Sequence, residues 1–251
     1  MRAFEIMVYR QVKRFLRARS RVAGMIINPL VWLAFFGIGW SNAFRDTSIF
    51  GGVDYLTYLS PGIFAMTVFN QSFVSGISVI WDREFGFLKE VLVAPASRKE
   101  TIAGRIFGDS AVATLQGAII LSLTFFIAKI NLLGVISALG VGFVLAVAFS
   151  SFGVSIAARM RSMEGFQMIM ALVMLPLIFL SGAIYPIAFM PSWMKALALA
   201  NPLTYAVEAS RVLLTGVSGI FPLYQSLLIL LILTAVMLYI AMVSFERSTV
   251  E

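Results

Sequence analysis

The sequence predicts an all-helical membrane protein with six transmembrane helices, and composition, run length and charge placement together predict it. Of the 251 residues, 60% are hydrophobic and only 12% are charged, where a soluble domain carries roughly a quarter charged. A soluble fold of this size has no way to cover so much apolar surface. The apolar residues gather into runs that reach the ~20 residues, at ~1.5 Å each, needed to cross a hydrocarbon core of roughly 30 Å. The charges fall between those runs.

Six stretches qualify as spans: 22–44, 58–80, 102–128, 132–158, 166–186 and 221–245. Before the first, residues 1–21 form an amphipathic segment. On a helical wheel Phe4, Met7, Val8, Val12, Phe15 and Leu16 take one side, and Arg10, Lys13, Arg14, Arg17 and Arg21 take the other. Such a helix lies on a membrane surface with its arginines at anionic headgroups, or serves only as a topology signal. No small-residue cleavage site follows the next apolar run, which argues against a cleaved signal peptide.

Orientation follows from lysine and arginine placement. The amino-terminal segment, the 81–105 region, the link near 160 and the tail hold all of these residues except Arg45, Lys129, Lys195 and Arg211. The positive-inside rule therefore predicts a multi-pass protein of the cell (plasma or inner) membrane with both termini in the cytoplasm. The net charge of +7 is dispersed between apolar runs rather than forming one stripe with interleaved aromatics, which argues against nucleic acid as a partner.

Between the second and third spans lies WDREFGFLKEVLVAPASRKETIAGR. Read as a helix over 82–94, it places Phe85, Leu88 and Leu92 on one stripe with Arg83 and Glu90 roughly opposite, and Pro95 ends it. It is amphipathic, cytoplasmic by the charge rule and too short to span. The segment from Ser181 to Gly219 is broken by Pro186, Pro191 and Pro202, too hydrophobic for a solvated loop and too long for a turn. It predicts two half-helices, 191–200 and 202–215, re-entering the outer leaflet, or else an amphipathic loop lying on the outer surface. Tyr185, Phe189, Trp193, Tyr205, Glu208 and Arg211 are its candidate extracellular gate residues. The three-residue spacing of Glu208 and Arg211 suggests a surface ion pair, with a gating role the alternative.

The chemistry the sequence lacks is equally informative. With no histidine and no cysteine, histidine bases, thiolates and the usual zinc ligands are out, and neither a catalytic nor a metal site is expected. No lysine follows a glycine, so no phosphate-binding loop exists here. Asp109 is the deepest acid, placed by i, i+4 spacing to pair with Arg105 near the cytoplasmic boundary. Mid-depth acids of the kind carried by many ion-coupled carriers are absent. Glu164 suits a helix amino terminus, and Pro176 is positioned to kink the fifth span. Phe35, Phe36, Trp40, Phe64, Phe69, Tyr185 and Phe189 fall in the outer half, where any that line a path would suit an amphipathic or sugar-bearing molecule by stacking. Which face they take stays open.

REFGFLKEVLVAPASR and LSGAIYPIAFMPSWMKALALANPLTYAVEASRVLL, with the spacing between them, resemble the type-2 ABC exporter permeases, in particular the small drug-resistance and nodulation-type branch. The resemblance implies that 82–94 is a coupling helix parallel to the membrane and docked on a separate ATPase. Phe85, Leu88 and Leu92 would enter its pockets, with Arg83, Glu84, Lys89 and Glu90 at the rim. It also implies two copies of that ATPase, carrying ATP and Mg, a second permease subunit (identical or similar), and no cofactor on this chain. Transport would be ATP-driven export of a drug, lipid or lipid-linked glycan. The rival readings are a secondary carrier driven by an ion gradient and a membrane scaffold without transport.

Overall fold

A computed structural model describes residues 3–41, 44, 46–85, 97–160 and 162–246. Every regular element among them is helical. In order these are α1 (Ala3–Arg17), α2 (Arg19–Trp32) running through a π-helical turn (Leu33–Ile38) into α3 (Gly39–Ser41), α4 (Tyr55–Val74), α5 (Ile77–Glu84), α6 (Arg98–Phe125), α7 (Leu132–Arg159), α8 (Met163–Leu180), α9 (Ser192–Leu199), α10 (Pro202–Thr215) and α11 (Leu223–Glu246). Short 3₁₀ turns lie at Thr47–Phe50 and Ile187–Phe189.

Local chemistry starts and stops these helices where a cap is available. Asp54, Asn131, Ser162 and Asn201 each accept a backbone N–H from the first turn of the helix that follows, satisfying donors a helix leaves orphaned. Pro202 sits in the first turn of α10, and Gly216, at φ 70°, ends it in the left-handed conformation. Inside the helices, hydroxyls satisfy themselves: Thr67, Ser72, Ser110 and Ser151 all donate to the carbonyl one turn back. That is how a polar side chain survives where water is absent.

Among the described residues, five stretches are long and apolar enough to cross a membrane: Thr47–Glu84, Arg98–Phe125, Leu132–Arg159, Met163–Leu180 and Leu223–Phe245. They correspond to the second to sixth predicted spans. The first has a different character. Its apolar part, Ile27–Ser41, is shorter than a span, and a proline, Pro29, lies inside α2.

α7 is the hub, packed against α4, α6, α10 and α11. Phe69 and Phe149 meet edge to face at 4.5 Å, and Phe73 touches both Phe152 and Phe166. Phe64 and Phe69 are fully buried in this core, so these two of the predicted outer aromatics hold the body together and line no path. The others differ: Phe35 is exposed, while Trp32, Phe36, Trp40 and Phe44 form a ladder of ring contacts at 5.0, 5.8 and 5.6 Å along one face of α2 and α3.

α1 lies along α6. Gly104 and Gly108, four apart, present a bare groove: a Cβ on Gly104 would stand 2.6 Å from the carbonyl oxygen of Phe4. Phe4 meets Phe107 edge-on at 5.8 Å, and Met7, Gln11 and Phe15 are buried at the same contact. Much of the apolar face predicted to enter lipid is thus spent on the protein itself, while Ile6, Tyr9 and Leu16 stay exposed. Gly104→Val should cost about 1–3 kcal/mol through overpacking. Its expected signature is faster amide hydrogen exchange across α1, with protection of α10 unchanged.

Candidate functional site

Two polar clusters stand at opposite ends of α4, and everything between them is mostly apolar. At one end, Asp82 on α5 is buried between two arginines. Arg10 on α1 reaches it with both terminal nitrogens, at 3.0 and 3.2 Å, and Arg105 on α6 approaches to 2.8 Å. The second terminal nitrogen of Arg105 donates to Ser78 Oγ at 2.7 Å. The predicted partner of Arg105 was Asp109, one turn along the same helix. The correction has a simple cause: α5 crosses α6 there and offers a carboxylate that helical spacing on α6 alone does not reveal. Asp109 is itself buried, and its Oδ2 has no hydrogen-bond partner.

Other residues expected on an outward face also turn inward. Arg14 lies 5.3 Å from the Trp81 ring, a cation–π distance, and the indole N–H of Trp81 points at Met163 Sδ at 3.3 Å. Arg83 donates to the carbonyls of Met160 and Ala158, at 2.8 and 3.0 Å, so it caps the carboxyl end of α7. Lys13 and Arg17 keep to the exposed face. The Lys13 ammonium accepts no bond but donates one to Tyr9 Oη at 3.0 Å, which lowers the pKa of that phenol. Arg21 lies among the side chains outside those described.

Asp82, Arg83 and Glu84 complete α5, whose last turn is closed by Phe85. Phe85 is 83% exposed. Leu88, Lys89, Glu90 and Leu92, with the remainder of the predicted 82–94 helix, lie outside the described residues.

At the other end, Glu208 and Arg211 on α10 form an ion pair at 2.7 Å with side chains 5% and 2% exposed. This corrects the expected surface pair: α10 is buried from Pro202 to Arg211 among α4, α7 and α11. Every charged terminus has a further role. Arg211 donates to the Gly182 carbonyl at 2.7 Å and lies 3.9 Å from the Tyr58 ring. Glu208 Oε2 accepts the backbone N–H of Ile220 at 2.7 Å. Gly182, at φ 74°, makes the turn after α8 that presents its carbonyl to both Arg211 and the Tyr58 hydroxyl.

The remaining predicted gate residues divide by burial. Tyr205 is buried and donates to the Leu199 carbonyl at 2.6 Å, closing the link between α9 and α10. Tyr185 is half-buried, and Phe189 and Trp193 are each 65% exposed. Asn201 both caps α10 and donates to the Leu177 carbonyl at 2.7 Å, which fixes α10 to α8.

Two recesses open along α4 between these ends. One, of about 410 Å³, lies between α2, α4 and α6 and includes Trp32, Thr67, Asn70 and Gln71. The other, of about 400 Å³, lies at the Asp82 end and includes Gln11, Trp81, Ser75 and Asp109. Gln71 and Val74 line both, so the two adjoin. Stacked apolar helices, a charged cluster at each end and polar-edged recesses along one helix describe a body built to sit in a membrane.

Residues 2–215 match the ABC-2 type transporter family. The chain belongs to that family. The permease is 33% identical over 216 residues to a putative transport permease of Cyanophora paradoxa, covering 84% of this chain and 72% of that one. It is 29% identical over 219 residues to the daunorubicin resistance ABC transporter permease of Streptomyces coeruleorubidus, covering 84% and 75%. Against the inner membrane transport permease YadH of Escherichia coli it is 21% identical over 213 residues, covering 84% and 82%. The permease is thus a transmembrane subunit of an ABC transporter, and membership in general implies an ABC ATPase partner and permease dimerisation.

Asp82, Gln11 and the Gly104/Gly108 groove escaped the sequence reading. The glycine spacing was available as a signal for close helix approach. The burial of Asp82 was not, because it depends on α1 and α6 converging on α5.

Proposed function

We propose that the permease, paired with a second copy or a similar chain, forms a membrane path for an amphipathic cargo and is driven by two copies of a separate ATPase holding ATP and Mg. In this reading the apolar stretch beginning in α2 completes six spans, both termini face the cytoplasm of a cell membrane, and α9 and α10 re-enter from the outside. The ATPase docks at 82–94. One observation carries the docking end: Phe85, an aromatic 83% exposed, stands directly after a helix braced from within by Arg10, Asp82 and Arg105. A brace under an exposed aromatic suits force transmission, since a push there moves α1, α5 and α6 together. The daunorubicin resistance relative supports a drug-like cargo.

Phe85→Ala with Leu88→Ala tests the docking end. Losing aromatic and aliphatic anchors of an interface costs about 2 kcal/mol or more, roughly thirtyfold in affinity. ATPase capture by the nanodisc-embedded permease should fall by that factor, and cargo-stimulated hydrolysis with it, at unchanged membrane levels. Unaltered capture and coupling would remove 82–94 from the docking role.

A further inference from the structure

We propose that the recess at the Asp82 end binds an uncharged polar head group with both a hydrogen-bond donor and an acceptor, of the hydroxyl or carboxamide class, borne by an amphipath. Its volume of about 400 Å³ is that of a small-molecule site. Two of its lining side chains, Gln11 and Asp109, are 4% and 9% exposed, and each carries a buried polar atom with no hydrogen-bond partner. Gln11 Nε2 can only donate, whereas Asp109 Oδ2 accepts when its carboxyl is ionised and can donate when it carries the proton. A hydroxyl or a carboxamide, which carries both a donor and an acceptor, satisfies the pair in either state.

Arg14 lines the recess and Arg105 is 3% exposed behind it, so a cationic head would meet positive charge there. A neutral head needs no counter-charge and leaves the ion pairs of Asp82 with Arg10 and Arg105 intact.

The rest of the recess suits the apolar part of such a molecule. Phe15, Val74, Val112 and Met163 form its walls, and Trp81 is held in place between Arg14 and Met163. Through Gln71 and Val74 the recess adjoins the second one, which adds Ile63, Met66 and Trp32. Head and tail therefore have adjoining compartments along α4. Calling this amphipath cargo rests on the transport reading above; the site itself does not.

The test uses the full chain in nanodiscs and a decyl glucoside bearing a diazirine on its alkyl chain. Photolabelling followed by peptide mapping should place the label around Val74, Trp81, Val112 and Met163. Unlabelled decyl glucoside should compete roughly tenfold better than decyltrimethylammonium or decyl phosphate, the ratio expected of one hydrogen bond to a charged group. Gln11→Leu and Asp109→Leu should each weaken labelling by a similar factor, while Asp109→Asn, which keeps an acceptor oxygen and the side-chain shape, should retain it. Should Asp109→Leu fail to fold, Gln11→Leu against Asp109→Asn decides. Labelling spread over outward-facing helices, labelling indifferent to Gln11→Leu, or equal competition by the charged amphipaths would each overturn the site. Site labelling by these rules without ATP-driven flux upholds the site and removes the transport reading; flux without site labelling does the reverse.

Discussion

Arg211→Met is expected to strip the permease of a large part of its stability. The substitution leaves Glu208 as an unpaired carboxylate 5% exposed at the side chain, and stranding one member of a buried pair costs about 3–5 kcal/mol. Against total stabilities of roughly 5–15 kcal/mol for folded domains, that is a severe loss. The damage extends beyond the pair. The Gly182 carbonyl loses its 2.7 Å donor, keeping only the longer Tyr58 hydroxyl bond at 3.3 Å, and the turn after α8 is no longer held to α10. Thermal denaturation of detergent-purified protein, followed by size-exclusion fluorescence, measures the effect. Arg211→Met combined with Glu208→Met should recover most of the loss, because removing both charges removes the desolvation penalty along with the attraction. A single variant as stable as the parent would mean that Glu208 reaches water.

That expectation depends on burial, and burial is where sequence and structure part company. The apolar runs were legible because a membrane span is a composition signal: residues 132–158 read as a span from hydropathy alone and lie within one helix, Leu132–Arg159. The two short helices after residue 190 were legible for another reason. Prolines at 191 and 202 punctuate the chain locally, and the helices Ser192–Leu199 and Pro202–Thr215 obey that punctuation. Three residues of spacing between Glu208 and Arg211 states that they share a helix face. It does not state what covers the face, and α4, α7 and α11 supply that cover from distant parts of the chain. The helical wheel of α1 failed similarly. It separated greasy from basic residues correctly, but assigned every basic residue to the outside, whereas Asp82 draws Arg10 and the Trp81 ring draws Arg14 inward. Candidate-site residues were therefore identifiable as polar exceptions in an apolar chain, while their partners were not.

Asp82→Ala is expected to rival the loss at Arg211, and the ranking of its neighbours reveals what the cluster does. Removing Asp82 leaves two guanidinium groups facing each other with no anion between them, one of them, Arg105, 3% exposed. A cost of about 3–5 kcal/mol follows from the buried member alone. Arg10→Ala should be much milder, about 1 kcal/mol, because Arg10 is 28% exposed and water takes over part of its work. Asp82 keeps Arg105 in that variant, so no buried charge is stranded. The stability order, read from denaturation midpoints, should therefore be parent, then Arg10→Ala, then Asp82→Ala. Function should follow a different order if the cluster transmits force. Arg10→Ala cuts the ionic link between α1 and α5 while sparing the fold, so ATPase stimulation by cargo should drop in Arg10→Ala out of proportion to its small stability loss. A purely architectural cluster predicts that stimulation and stability fall together along the series. Equal midpoints for Arg10→Ala and Asp82→Ala would contradict the assignment of Arg105 as the buried partner, since only a stranded, desolvated charge separates the two variants.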